Sequence, residues 1–250
     1  MSIDVLADKR REMVDRQIAG RGITDHAVLD AMRVVPREAF VPEAQAEFAY
    51  DDTPLPIEAA QTISQPYIVA LMASALELSP DDRVLEVGAG SGYAAAVLSR
   101  IAGEVHAIER HAMLAELARR RLRELGYDNA EVRHGDGTMG WPAHAPYDGI
   151  AVAAGGPSVP ETLRQQLAVG GRLVIPVGTT PRDQQLIRVT RTSERDYREE
   201  SLGAVRFVPL IGAQGWADDD PPPAVAAAAP SAERSPRLIR EAAEPFGDME

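Results

Sequence analysis

The residues with the clearest chemical content form the run Glu86-Val87-Gly88-Ala89-Gly90-Ser91-Gly92-Tyr93. A short apolar stretch precedes the glycines and a helical pattern follows, so they sit at a strand-to-helix turn. Glycine there lets the chain turn tightly and lets helix N–H groups approach a ligand. Such turns also carry glycine for geometry alone. The spacing is Gly-x-Gly-x-Gly, with Tyr93 where a dinucleotide-binding turn has its third glycine. No Gly-Lys-Ser/Thr follows, which disfavours a phosphate loop. Glu109 ends the next apolar run, about 20 residues after the first glycine, where a carboxylate can accept from both ribose hydroxyls. Its plain alternative is a solvated residue at a strand end. The turn (Glu86, Gly88, Ala89, Gly90, Ser91, Gly92) and Glu109 together favour a nucleoside-bearing ligand without a pyrophosphate, and S-adenosylmethionine fits. His134-Gly135-Asp136-Gly137 follows the third strand on the same sheet edge. There Asp136, with Gly137, either accepts from an adenine amino group or makes an Asp-Gly turn. Asp148, at the start of the fourth strand, reads equally well as structural.

These residues need a scaffold, and the pattern supplies one. The first 80 residues read as two helices. Asp25 or Thr24 caps the first, with Val28, Leu29, Met32 and Val35 at helical spacing. The second follows Ser64 and buries Ile68, Val69, Leu71, Met72, Ala75 and Leu76. Strands are expected at 83–87, 104–108, 131–133, 147–153 and 171–177, with later ones at 184–189 and 205–208. Helices are expected at 93–101, 112–125 and near 160–167. Alternation of this kind implies an α/β fold, a mostly parallel sheet with helices on both faces. The expected organisation is one unit over 1–212: an N-terminal helical region (1–80), a nucleotide-binding core (81–180) and C-terminal strands (181–212). From 213 to 250 a Pro/Ala/Asp-rich linker leads to a short helix opened by Ser235-Pro236.

Composition narrows the partners. A net charge of −12 argues against binding nucleic acid through its phosphates, which needs clustered Lys and Arg. Absence of cysteine removes disulfides, thiolate metal sites and a Cys nucleophile. The five histidines show no ligand spacing with carboxylates, so no metal centre is expected. Residues 1–15 are charged and lack a signal-peptide core, and no stretch approaches a membrane span. The expected location is the cytoplasm.

Five segments carry a family resemblance, in this order: Gln61-Thr62-Ile63-Ser64-Gln65-Pro66-Tyr67; the glycine unit from Leu85; Pro146-Tyr147-Asp148-Gly149-Ile150; the run from Gly170 to Gly178; and Val205-Arg206-Phe207-Val208-Pro209-Leu210. Together, over residues 10–212, they resemble the protein-L-isoaspartate O-methyltransferases. The resemblance implies a Rossmann-like methyltransferase fold and methyl transfer from S-adenosylmethionine to the α-carboxylate of an L-isoaspartyl residue in damaged proteins. The ester then closes to a succinimide whose hydrolysis partly restores aspartate. It implies Ser64 as the active-site serine, bonding the acceptor carboxylate, with Thr62, Ile63, Val208 and Leu210 around the substrate. From the residues alone, Ser64 reads as a helix N-cap and Val208 and Leu210 as edge-strand packing.

Two departures adjoin the acceptor side. Relatives usually carry Gly-His-Gly where this chain has Glu58-Ala59-Ala60, and Tyr67 replaces a frequent histidine. Two alternatives therefore stand beside isoaspartyl repair: a same-fold methyltransferase for a specialised peptide or small-molecule carboxylate, and a non-catalytic isoaspartyl-binding module. Residues 235–246 resemble the opening of an erythromycin-esterase-like domain, which implies a fused C-terminal partner.

Overall fold

The computed structural model describes residues 3–180 and 182–218. Seven strands make the main sheet: β3 (Arg83–Val87), β4 (Glu104–Glu109), β5 (Ala130–His134), β6 (Tyr147–Val152), β7 (Leu167–Thr180), β8 (Asp183–Arg191) and β9 (Tyr197–Val205). Their order is β5-β4-β3-β6-β7-β8-β9, parallel from β5 through β7 and antiparallel beyond. The small pair β1 (Leu55–Pro56) and β2 (Thr62–Ile63) forms a separate antiparallel hairpin. From β3 the chain winds outward through β4 to β5, then returns on the other side of β3 as β6. That reversal opens a crevice at the carboxyl ends of β3 and β6, where open α/β sheets bind ligands.

Two cores flank the sheet. Val84, Val105, Ala107, Val132, Ala151 and Val174 face a layer that contains all the N-terminal helices, together with α4 (Tyr93–Leu98) and α5 (Ala112–Glu124). Leu85, Val87, Ile108, Ile150, Val152 and Leu173 face Trp141, Tyr147, Leu210 and the short α6 (Glu161–Gln165). Burial on both faces explains why the central strands read as largely apolar runs rather than as an alternation. The two coverings are unequal, since α6 is the single α-helix over the second face among the described residues.

The N-terminal helices differ from expectation. Three α-helices precede β3: α1 (Ile3–Glu12), α2 (His26–Val34) and α3 (Pro66–Leu76). The first has no apolar periodicity to announce it, because its sequence is mostly charged. It continues as a π-helical turn, and Met13, Val14 and Ile18 become core residues when α2 and α3 pack on them. Asp25 caps α2 as expected, accepting from Val28 N–H at 3.2 Å. Ser64 does not cap α3. The cap position is Gln65, and the orphan N–H of Tyr67 is taken by Asp52 Oδ1 at 3.3 Å.

The last strand is also displaced. Of the strand expected at 205–208 only Val205 is in one, as the end of β9, which lies earlier, in Tyr-Arg-Glu-Glu-Ser-Leu-Gly-Ala-Val, a largely polar edge with no apolar run to announce it. Phe207 and Leu210 are apolar because the segment after β9 crosses the top of the sheet, not because it pairs within it. Residues 213–218 remain bound to the fold: Ala213 N–H donates to Asp136 Oδ2 at 2.8 Å and Trp216 Nε1 to Gly155 O at 2.9 Å. The helix expected after Ser235 lies outside the described residues.

Candidate active site

The glycine turn hangs from the neighbouring strand. Gly88 and Ala89 N–H both donate to Ile108 O, at 2.8 and 3.1 Å. Gly88, Gly90 and Gly92 have φ of +90°, +52° and +90°, the left-handed region that a side chain resists. Tyr93 takes no glycine role. It is buried under Phe40, edge to face at 5.7 Å, with the Arg37 guanidinium 4.9 Å from its ring. A third glycine would leave the N-terminal layer without its contact on α4.

Glu86 and Glu109 lie on the same face, two strands' ends converging on the turn. Glu109 is buried, and its plain reading as a solvated strand end is not what is found. Its Oε2 accepts from Gly90 N–H at 2.9 Å and its Oε1 from His111 N–H at 2.8 Å, so the carboxylate fixes the glycine loop. Glu86 is fully buried and its Oε2 has no partner. Burial, and next the charge of Glu109, raise its pKa well above the ordinary carboxylate range, against a donated N–H from Ala95. A buried carboxyl with one partnerless oxygen beside a second carboxylate is suited to receive a cationic group.

Beyond Glu109 a cavity of about 470 Å³ is lined by Arg110, His134, Asp136, Gly212 and Trp216. That is the size range of ligand pockets. Asp136 faces this cavity, but its oxygens are engaged: Oδ1 accepts from Thr138 N–H and Oγ1, and Oδ2 from Ala213 N–H. Gly137 lies so close to Val87 that a Cβ would collide with its side chain. Asp136 thus lines the cavity, while Gly137 is fixed against β3. S-adenosylmethionine fits these residues: the orphaned Glu86 oxygen suits its cationic end, the open glycine loop its middle, and the cavity beyond Glu109 a nucleoside.

Beside the turn lies the β1–β2 hairpin, which ends at Thr62-Ile63 and leads into Ser64. Ile57 Cδ1 sits over the place a Cβ of Gly90 would occupy, 3.6 Å away. Arg121, from α5, joins the hairpin to the turn, donating to Glu58 Oε1 at 3.1 Å and Ser91 O at 3.4 Å. Ala59 and Ala60 at the hairpin tip are left-handed, with φ of 55° and 54°, at about 1–2 kcal/mol each. Glu58 is the residue that ties this strained tip down.

Arg37 is invisible in the sequence, where it follows a proline with no charge pattern around it. It is fully buried, donating through Nε to Ala49 O and through Nη2 to Ser64 O, both at 2.8 Å. Burial lowers its pKa to about 10, so it stays charged at neutral pH. The backbone of Ser64 is thereby held while its hydroxyl is relieved of capping. Ile63 is buried and Thr62 half-buried. Val208 and Leu210 run beside Gly155 just past β6, with Gly155 N–H donating to Val208 O and Leu210 N–H to Gly155 O, each at 2.8 Å. Gln184 pins this stretch by accepting from Phe207 N–H at 2.7 Å. Tyr67 carries the Arg21 guanidinium on its ring at 3.5 Å, and Arg21 pairs with Asp52 at 2.6 Å.

Comparison with known proteins agrees with this geometry. The family model described as protein-L-isoaspartate(D-aspartate) O-methyltransferase matches residues 8–220. Protein-L-isoaspartate O-methyltransferase 2 of Pelobacter propionicus is 64% identical over 208 residues, 83% of this chain and 92% of that one. The Rhodopseudomonas palustris protein-L-isoaspartate O-methyltransferase is 62% identical, covering 82% and 94%. A solved protein-L-isoaspartate O-methyltransferase superposes with TM-score 0.74 at 32% identity, over 82% of this chain and 67% of that one. A Plasmodium falciparum beta-aspartate methyltransferase structure in complex with S-adenosyl-L-homocysteine gives 0.69 at 26% identity, over 81% and 98%. With its sheet order, its glycine turn and these matches over most of its length, the chain belongs to the protein-L-isoaspartate(D-aspartate) O-methyltransferase family.

Proposed function

We infer that this chain methylates the α-carboxylate of L-isoaspartyl residues in damaged proteins, using S-adenosylmethionine. One observation supports the reading in this chain's own residues: Arg121 ties the hairpin tip to the glycine turn, and Arg37 holds the backbone of Ser64 just past that hairpin. Family membership supports the same reaction.

The chemistry asks little of acid–base groups. An α-carboxylate with a pKa of about 3.5 is already ionised at neutral pH. When bound, S-adenosylmethionine supplies an electrophilic methyl group. What the chain contributes is alignment and removal of water from a weak nucleophile. Ser64 Oγ donates to one oxygen of the acceptor carboxylate and leaves the other to attack. Thr62, Ile63, Val208 and Leu210 are proposed to form the walls around it. Glu86, Gly88, Ala89, Gly90, Ser91, Gly92 and Glu109 are proposed to hold the cofactor, with Asp136 and Gly137 shaping its far end.

The deciding experiment is methylation of paired peptides that differ in one isoaspartyl or aspartyl linkage. Only the isoaspartyl peptide should be labelled; equal labelling of both, or none of either, would overturn the reading. Ser64→Ala should lower kcat/KM about tenfold to a hundredfold, the worth of one hydrogen bond to a charged group. Because Asp52 supplies the helix cap, thermal unfolding of this variant should shift by less than about 0.5 kcal/mol. A larger loss of stability, or a parallel loss of cofactor affinity, would return Ser64 to a structural role.

The tip Glu58-Ala59-Ala60 favours one second reading, a shifted preference among carboxylates, since its strained backbone borders the acceptor segment. We also propose a cytoplasmic location; among the described residues no helix is long and apolar enough to cross a membrane. A fused C-terminal domain is proposed on the likeness of residues 235–246 alone.

A further inference from the structure

The second face of the sheet carries a cluster that methyl transfer does not use. His106 on β4 and Glu131, its register partner on β5, meet His144 from the loop before β6. One ligand atom from each lies within 4.8 Å of the others. His106 is 8% exposed and its Nδ1 has no hydrogen-bond partner. The ring sits between two carboxylates: Nε2 is 3.5 Å from Glu104 Oε2 and Nδ1 is 3.8 Å from Glu131 Oε2.

A neutral imidazole carries one N–H and can donate to one carboxylate only. The other nitrogen then points a lone pair at a carboxylate oxygen, which is repulsive unless a second proton or a metal ion lies between them. Glu104 is already paired with Arg83 at 2.8 Å and is placed to receive the Nε2–H, the carboxylate–histidine arrangement that fixes a metal-binding ring. Nδ1 is then the free lone pair, and it faces Glu131 while the His144 ring stacks on His106 at 3.9 Å between centroids.

We propose that His106, Glu131 and His144 form a binding site for a borderline divalent transition metal of the zinc class. Two imidazoles and one carboxylate, with water in the fourth position, match zinc's preferred ligands. Zinc–ligand bonds of about 2.0–2.1 Å require the three groups to draw together. Glu131 is exposed and His144 half-buried, so both can rotate toward the fixed His106. The site clips β4, β5 and the loop of residues 142–144 together. It lies three residues before Glu109 and on the opposite sheet face, roughly 10 Å along the strand. It is therefore independent of the methyl-transfer reading.

The test is calorimetric titration of metal-stripped, untagged protein with zinc chloride. One zinc per chain should bind, and zinc-edge X-ray absorption should report two imidazole ligands. His144→Ala and Glu131→Gln, both at sites that tolerate truncation, should each weaken binding at least tenfold, while His26→Ala leaves it unchanged. Zinc at about a hundredfold over Kd should raise the thermal midpoint of wild type by several degrees, and that of the two variants by much less. Magnesium chloride, which prefers oxygen ligands, should give no heat. Absence of saturable one-to-one binding overturns the proposal. So does wild-type affinity in both variants, which would place zinc on the remaining histidines.

Discussion

Arg37→Met should lower turnover at least tenfold while leaving the affinity for S-adenosylmethionine within about twofold. The guanidinium is a positioning group that touches no reacting atom. It holds Ser64 O and Ala49 O at 2.8 Å each from inside the N-terminal layer, against the ring of Tyr93. Without it, two carbonyls lose charge-assisted bonds worth about 1.5–3 kcal/mol each, and a misplacement of about 1 Å in an aligned site costs on the order of a hundredfold in rate. Stability should fall by less than the sum of the two bonds. Burial alone lowers the Arg37 pKa to about 10 and its Nη1 is unpartnered, so methionine also removes a desolvated charge. Arg37→Ala adds a cavity and should unfold at distinctly lower urea than Arg37→Met. Steady-state kinetics with calorimetry of the same preparations check this. A matching loss of cofactor affinity would mean that Arg37 supports the whole layer and not the Ser64 segment in particular.

Glu86→Gln should weaken S-adenosylmethionine binding more than tenfold and yet stabilise the ligand-free protein. Burial first, and Glu109 second, raise the Glu86 pKa. The folded chain therefore holds this proton above the pH at which the unfolded chain loses it. That contribution to stability is complete below the unfolded value and is lost as pH rises through the folded value. A cationic ligand reverses the preference, because it favours the ionised carboxylate. Wild-type affinity should then increase with pH, with a proton released on binding. S-adenosylhomocysteine, which keeps the terminal ammonium, should show a dependence of the same direction. In Glu86→Gln the proton release should vanish and the pH dependence should flatten. Calorimetry in buffers of different ionisation enthalpy measures the release directly. An unchanged release in the variant would move the titration to another group.

The two variants probe halves of the site that differ in how far sequence reveals them. The sequence by itself determined what neighbouring residues determine: the apolar runs of β3, β4, β6 and β7, the glycine turn, Glu109 at its strand end and Asp25 capping α2. Each follows from local rules, since a strand buried on both faces must be apolar and a left-handed turn residue must tolerate positive φ. The charged start of α1 and the polar β9 escape such rules because neither has a local apolar signature; they form where a packed layer and a paired edge already exist.

Only the tertiary structure decided who does what inside the site. Asp52 takes the capping bond that Ser64 would make in an isolated helix, and so releases the serine hydroxyl. Arg37 reaches Ser64 across 27 residues of chain. His106 meets Glu131 through strand register and His144 through a loop, although the five histidines have no ligand spacing along the chain. Turn geometry and periodicity act between residues a few positions apart and are written in their order. Buried charges and unpaired lone pairs find partners through sheet register and helix packing, which exist only once the chain has folded.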